Sequence, residues 1–250
     1  MRLFSRRRAT LSDFNAPLEP ETSFYAIGDV HGCDTLLGRL LDKLAEAAHP
    51  EAKLVCLGDY VDRGEQSAQV LHRLNRLFVE ASGRMICLKG NHEQMMLDFL
   101  DHPEDFGSRW LRHGGLQTMA SFGLPFVRQG ATQAELIESR DRLRERLGPE
   151  LEIWLRELPL WWATGNIFVV HAAADPMLPV MGQAPQTMLW GHPDFERMPR
   201  QDDIWVVHGH TIVEEAAPNQ GRIPVDTGAY ATGRLSAVLV EPGKLTVIES

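Results

Sequence analysis

The chain has 250 residues, 44% hydrophobic and 24% charged, enough for one large domain with its own core. Its net charge of −9 argues against a broad nucleic-acid interface, because affinity for a phosphate backbone rests on clustered Lys and Arg. No apolar run approaches the roughly 18 residues of a membrane span. The three cysteines, Cys33, Cys56 and Cys87, include no CxxC pair and point to a reducing, cytoplasmic setting, not a disulfide scaffold.

Residues 1–22 begin with a cluster of arginines that no apolar stretch follows, so a secretory signal is not expected. With Pro17 and Pro20 they read as a basic tail ahead of a single domain over 23–250. Ser23 to Ile27 is apolar and stops at Gly28, as a short strand does. Leucines at 36, 37, 40, 41 and 44 then give Asp34 to Ala48 helical spacing. The same succession repeats as strand Lys53 to Leu57 with helix Gln66 to Val79, and as strand Arg84 to Leu88 with helix Asn91 to Leu100. Such alternation predicts βαβ units with parallel neighbours.

Residues 101–160 read as a helical insert, interrupted at Gly114-Gly115 and at Gly123-Leu124-Pro125. Within it Thr132 to Leu147 is dense in Arg and Glu, the pattern of a solvated helix face. Trp154, Trp161 and Trp162 are expected to pack between the insert and the core. Strands resume at Ile167 to Val170 and at Ile204 to Val207. Ile223 to Val225, Leu235 to Val240 and Leu245 to Ile248 read as an antiparallel C-terminal meander.

Chemistry concentrates where the apolar runs stop. Gly28-Asp29-Val30-His31-Gly32 follows the first run, Gly58-Asp59-Tyr60-Val61-Asp62-Arg63-Gly64 the second, and Gly90-Asn91-His92-Glu93 the third. His171 and His208-Gly209-His210-Thr211 follow the two later runs. Asp29 and His31 are two apart on an extended turn, so both can face one ion. Asp59 brings two oxygens, suited to bridging, and Asn91, His171 and His210 can complete a second site with neutral donors. A mixed O/N set without thiolate suits Mn²⁺ or Fe²⁺, with Zn²⁺ as an alternative. Each of these residues alone could be a turn residue or helix cap; six in this order argue for ligation.

Together these blocks resemble the signature of the calcineurin-like metallophosphoesterases. GDYVDRG is similar to the PPP-type serine/threonine phosphatase branch in its bacterial and phage form, as is the segment Trp110 to Gly123. The resemblance spans about Phe24 to Val240. It implies an α/β fold in which two mixed β-sheets are packed between helices. It also implies two divalent ions, the first on Asp29 and His31, with Asp59 bridging, and the second on Asn91, His171 and His210. In that family a metal-bridging hydroxide attacks phosphorus. His92 would then protonate the leaving oxygen, Asp62 would orient His92, and Arg63 would bind phosphate. The implied substrate is a phosphorylated protein or a small phosphoester, with no nucleic acid or membrane partner.

The chain departs from that pattern at two places. The branch carries an Arg after its Leu-Trp pair as a second phosphate clamp, whereas Leu189-Trp190 is followed here by Gly191-His192-Pro193. His192 is therefore expected to bind substrate phosphate, with Arg222 or Arg234 as alternatives. His171-Ala172-Ala173 replaces the family's His-Ala-Gly. Tyr230 reads equally as a substrate contact or a packed loop residue. His208 is expected to support its turn, Glu93 to cap a helix, and His49, His72, His102 and His113 to lie on the surface. The competing enzymatic reading is a dinucleoside tetraphosphate hydrolase of a sister branch. That branch has Ala in place of Asp62 and Pro where Glu65 stands. A non-catalytic scaffold is disfavoured by retention of every ligand together with His92.

Overall fold

A computed structural model describes residues 14–250 apart from Ala48, Pro50 and Gln129; the basic start of the chain lies outside the described residues. Three strand–helix pairs come first: β1 (Phe24–Ile27) with α1 (Asp34–Glu46), β2 (Lys53–Cys56) with α2 (Ser67–Glu80), and β3 (Met85–Cys87) with α3 (Asn91–Asp101). The insert supplies α4 (Pro103–Trp110), α5 (Leu116–Ser121) and α6 (Gln133–Glu157). Then follow β4 (Trp161–Thr164), β5 (Ile167–Val170), α7 (Pro185–Trp190), β6 (Trp205–His208), β7 (Arg222–Pro224), α8 (Ala229–Thr232), β8 (Ser236–Glu241) and β9 (Lys244–Glu249).

The strands make two mixed sheets, ordered β3-β2-β1-β8-β9 and β4-β5-β6-β7. In the first, β1, β2 and β3 are parallel and the β8–β9 hairpin adds antiparallel to β1. In the second, β5, β6 and β7 are parallel and β4 is antiparallel. Side chains alternate across each strand. Phe24 and Ala26 meet Val169, Val207 and Ile223 between the sheets, while Tyr25 and Ile27 face the helices. On β5, Ile167 and Val169 point inward and Phe168 and Val170 outward toward Met188 and Phe195. Both faces are buried, which is why these strands are apolar throughout.

Two expectations change here. Ile223 lies in β7, which pairs parallel with β6 in the second sheet, so the C-terminal meander reduces to the β8–β9 hairpin. An apolar triplet announces a strand without naming its partner. Trp161 and Trp162 belong to β4: Trp162 lies edge-on to Phe24 at 5.1 Å and Trp161 packs on Phe168 at 5.7 Å. Trp154 alone of the three joins insert to core, stacking on Tyr60 at 6.2 Å.

The insert packs Leu136, Leu143, Leu147, Leu151 and Leu155 of α6 into the helix-side core, and α6 bends at Gly148 (φ 76°), just before Pro149. Residues 14–22 lie against the second sheet, with Phe14 edge-on to Trp205 at 4.9 Å and Glu19 N–H donating to Asn166 Oδ1 at 2.8 Å. Among the described residues no helix is long and apolar enough to cross a membrane.

Candidate active site

The C-terminal ends of β1, β2, β3, β5 and β6 bring Asp29, His31, Asp59, Asn91, His92, His171 and His210 to one side of the sandwich. The turns that do so are strained. His31, Asp59, Asp62, Arg63 and His210 have φ of 43°, 53°, 73°, 68° and 64°, a region that few non-glycine residues adopt. Among the described residues three other non-glycine residues share that conformation, so the strain gathers at this site, as it does where function fixes the backbone. The backbone also approaches closely: a Cβ on Gly90 or Gly209 would overlap a carboxylate oxygen of Asp59 or Asp29. Only glycine fits there.

The donors fit divalent metal. His31 Nδ1 faces the Val61 carbonyl at 2.9 Å and His171 Nδ1 the Leu57 carbonyl at 2.9 Å, so each ring donates from Nδ1 and leaves a lone pair on Nε2. Those lone pairs meet oxygens: His31 Nε2 lies 3.4 Å from Asp59 Oδ2, and His171 Nε2 lies 3.4 Å from Asp59 Oδ1 and 2.9 Å from Asn91 Oδ1. Burial holds both imidazoles down at about 4, so at neutral pH neither carries the proton that would make these contacts attractive. A cation between them would. Asp29 tells the same story. Its Oδ2 accepts from His210 N–H at 3.0 Å, but its buried Oδ1 has no partner, and burial with Asp226 and Asp59 nearby pushes its pKa well up. The ligand atoms of His31, Asp59 and His92 lie within 4.8 Å of one another, as do those of Asp59, His171 and His210, with Asp59 common to both trios.

His92 sits in the first trio but is held differently. Its Nδ1 donates to Asp62 Oδ2 at 2.6 Å, and its Nε2 lies 3.9 Å from Asp59 Oδ2. Burial opposes the charged ring, yet Asp59 and the hydrogen bond to Asp62 outweigh it and lift the pKa to about 8. A ring protonated at neutral pH offers an N–H, not a lone pair, which suits a proton donor better than a ligand.

Sequence reasoning missed what holds Asp62. Trp110 Nε1 donates to its carboxylate at 3.0 Å and Thr118 Oγ1 donates to Oδ1 at 2.7 Å, both from the insert. The resemblance of Trp110 to Gly123 to the bacterial branch was the one available signal. Asp226 was also missed as a site residue. It follows β7, lines the cavity, and is raised to about 6 by burial above all. Glu93 does more than cap α3: its carboxylate accepts from the N–H groups of Asp59, Tyr60 and Gly90 at 2.8, 2.7 and 2.9 Å, pinning the Asp59 turn. His208 faces Phe195 edge-on at 4.9 Å, within its own turn.

A cavity of about 220 Å³ opens over the cluster, lined by His31, Asp59, Arg63, Asn91, His92 and Tyr230 among others. Arg63 Nη1 donates to Tyr230 OH at 2.6 Å, so the two expected substrate contacts come together. His192 does not join them. It lies 3.6 Å from Asp175, accepts from Asp194 N–H at 3.3 Å, and is absent from the cavity wall. Neither expected substitute stands there: Arg222 donates to Phe195 O, and Arg234 to Glu214 O. The Gly191 turn (φ 98°) that ends α7 sends this loop to Asp175 instead. His113, expected on the surface, is exposed and also lines the cavity.

The profile of the calcineurin-like phosphoesterases matches residues 22–214, and the chain belongs to that family. It is 32% identical over 152 residues to a symmetrical bis(5'-nucleosyl)-tetraphosphatase of Janthinobacterium sp. (strain Marseille), covering 61% of this chain and 44% of that one. The chain thus spans less than half of that relative's length. It is 25% identical to the asymmetrical bis(5'-nucleosyl)-tetraphosphatase PrpE of Halalkalibacterium halodurans, over 86% of this chain and 89% of the relative. Among solved structures it is similar in fold to a putative diadenosine tetraphosphatase (TM-score 0.63, 19% identity, 94% and 99% covered). It is similar too to a serine/threonine phosphatase of Saccharomyces cerevisiae (TM-score 0.56, 17% identity, 92% and 80% covered).

Proposed function

We propose that the chain hydrolyses phosphoric monoesters with poor leaving groups, phosphoserine and phosphothreonine in protein first among them. The observation that supports this most directly is the His92–Asp62 pair. A serine alkoxide leaves badly unless its oxygen is protonated, and a buried imidazole charged at neutral pH, oriented through Nδ1 at 2.6 Å, supplies that proton from Nε2. Asp29, His31, Asp59, Asn91, His171 and His210 would hold two divalent ions, Mn²⁺ first among the candidates. When bound, these supply Lewis acidity and a nucleophile at neutral pH. Arg63, braced by Tyr230, keeps further guanidinium N–H groups free to fork onto phosphate oxygens.

A second reading, hydrolysis of dinucleoside tetraphosphates, is favoured by the names of the two relatives above, one of which aligns over most of both chains. The readings differ in the leaving group, because a nucleotide phosphate departs without needing a proton. Mn²⁺-reconstituted protein is therefore assayed on a phosphoserine peptide, p-nitrophenyl phosphate and diadenosine tetraphosphate, for wild type and His92→Asn. The expected result is turnover of the peptide and a loss of about 10²–10⁴-fold in kcat on it for the variant, smaller on the aryl ester, with metal content unchanged. Turnover of the dinucleotide alone would establish the second reading. Equal losses on peptide and aryl ester would remove His92 from the acid role, and loss of bound metal would make it a ligand.

A further inference from the structure

The expected second phosphate clamp is missing from the cavity, since His192, Arg222 and Arg234 are all engaged elsewhere. Arg112 and His113 stand beside it instead, carried by the turn between α4 and α5, His113 in its wall and Arg112 in the wall of a neighbouring cavity. A second cavity, of about 460 Å³, adjoins the first and shares Arg63, His113 and Tyr230 with it. Its remaining wall is Leu111, Arg112, Gly114, Leu116 and Gln117. No carboxylate lines it, in a chain whose net charge is −9. Arg112 is exposed and makes no hydrogen bond or ion pair among the described residues.

The turn is fixed against the site. Gly114 has φ 117°, and a Cβ there would stand 2.5 Å from Arg63 N and 2.9 Å from Asp62 Cβ. Trp110 and Thr118, before and after the turn, both bond Asp62. The position of Arg112 and His113 relative to Arg63 is thus set by packing.

We propose that Arg112, His113 and Gln117 form an anion subsite beside Arg63, taking an anionic group of the substrate that lies beyond the scissile phosphate. This deepens the phosphoesterase reading and rests on it. The recognising chemistry is a guanidinium with neighbouring N–H donors, which binds a carboxylate or a phosphate by the same charge-assisted bonds. An acidic residue beside a phosphoserine and the next phosphate of a polyphosphate chain are its two sources.

The test compares Mn²⁺-loaded wild type, Arg112→Ala and Arg112→Lys on paired ligands. One pair is a phosphoserine peptide with Glu or Gln next to the phosphorylated residue. Another is diadenosine tetraphosphate against p-nitrophenyl phosphate. The third is competitive inhibition of p-nitrophenyl phosphate turnover by phosphoglycolate and by ethyl phosphate, which differ by a carboxylate. Wild type is expected to favour the more anionic member by about 3–10-fold, falling to near parity in Arg112→Ala and partly kept in Arg112→Lys. A preference confined to the peptide pair or to the dinucleotide pair identifies the source. If neither peptide nor dinucleotide is hydrolysed the substrate reading fails, and the inhibitor pair still decides the subsite. Selectivity in wild type that Arg112→Ala leaves intact, or none in wild type, overturns the proposal.

Discussion

Asp59 shows how one side chain can organise a site. Its Oδ2 faces His31 and His92, its Oδ1 faces His171, and its turn is held at φ 53° by the Glu93 carboxylate. Around it the carboxylates are kept from ionising freely: burial and mutual repulsion raise Asp29 well up and Asp226 to about 6. Burial holds His31 and His171 near 4, so these imidazoles are already neutral above pH 5 or so. The sign follows. Apart from the one on His92, the protons that remain at pH 6 sit on carboxylates, from which a metal ion displaces them, so affinity for Mn²⁺ rises as pH increases through about 6. Calorimetric titration at pH 5.5 and 7.5, in buffers of different ionisation enthalpy, should show weaker binding with more proton release at the lower value (a span of about one unit either side of a shifted carboxylate). Asp226→Asn should reduce that release. Affinity independent of pH would contradict the raised carboxylates.

At the scale of elements, the insert braces the Asp62 loop, and α4 and α5 do this together. Trp110 ends α4 and Thr118 lies in α5; between them Leu111–Gly115 turns sharply enough to place both on Asp62. Trp110 is itself fully buried and stacks on Phe99 at 4.8 Å, so the indole N–H is carried by a rigid support. Thr118 accepts from Asp62 N–H at 2.8 Å and returns a bond to Oδ1 at 2.7 Å. Removing that hydroxyl loosens Asp62 and with it His92. A charge-assisted hydrogen bond is worth about 1.5–3 kcal/mol, so Thr118→Val should lower kcat by roughly 10-fold or more on substrates with alkoxide leaving groups. The loss should be smaller on an aryl phosphate, KM and metal content should hold, and Thr118→Ser should restore turnover. A uniform loss across leaving groups would mean that Thr118 supports the fold only.

At the scale of the whole molecule the candidate metal ligands span the sandwich. Asp29, His31, Asp59 and Asn91 follow strands of the first sheet, and His171 and His210 follow strands of the second. An ion bound across them joins the sheets in the folded state and has no equivalent in the unfolded chain. Saturation at 100 times Kd adds about 2.7 kcal/mol. For a domain of this size that corresponds to a rise in Tm of roughly 5–10 °C at the 2–4 °C per kcal/mol typical of large domains. Thermal unfolding with and without Mn²⁺ measures it. Asp59→Asn, which takes charge from both trios, should abolish most of the rise and leave fewer than two ions bound by elemental analysis. A full Mn²⁺ shift in that variant would exclude Asp59 from the bridging place.

The candidate metal cluster was legible in the sequence because its members sit at strand ends. A run of apolar residues followed by Gly-Asp or Gly-Asn fixes both the strand and the side on which its last residues emerge, and this information is local. Asp29, His31, Asp59, Asn91, His171 and His210 were therefore found together. What depended on which elements lie next to each other was not legible. Ile223 announced a strand but not its parallel neighbour β6. Trp161 and Trp162 announced burial but not β4. His192 stood in the right place along the chain and turned to Asp175 in space, while about 80 residues earlier His113 came to the cavity and Arg112 to the one adjoining it (a separation that loop closure tolerates at little extra entropy). Residue order fixed where the candidate ligands stand because each is set by its own turn. Packing of the insert against the Asp62 loop decided what surrounds the substrate, because long-range contacts are chosen by shape and by buried hydrogen bonds, neither of which a single segment carries.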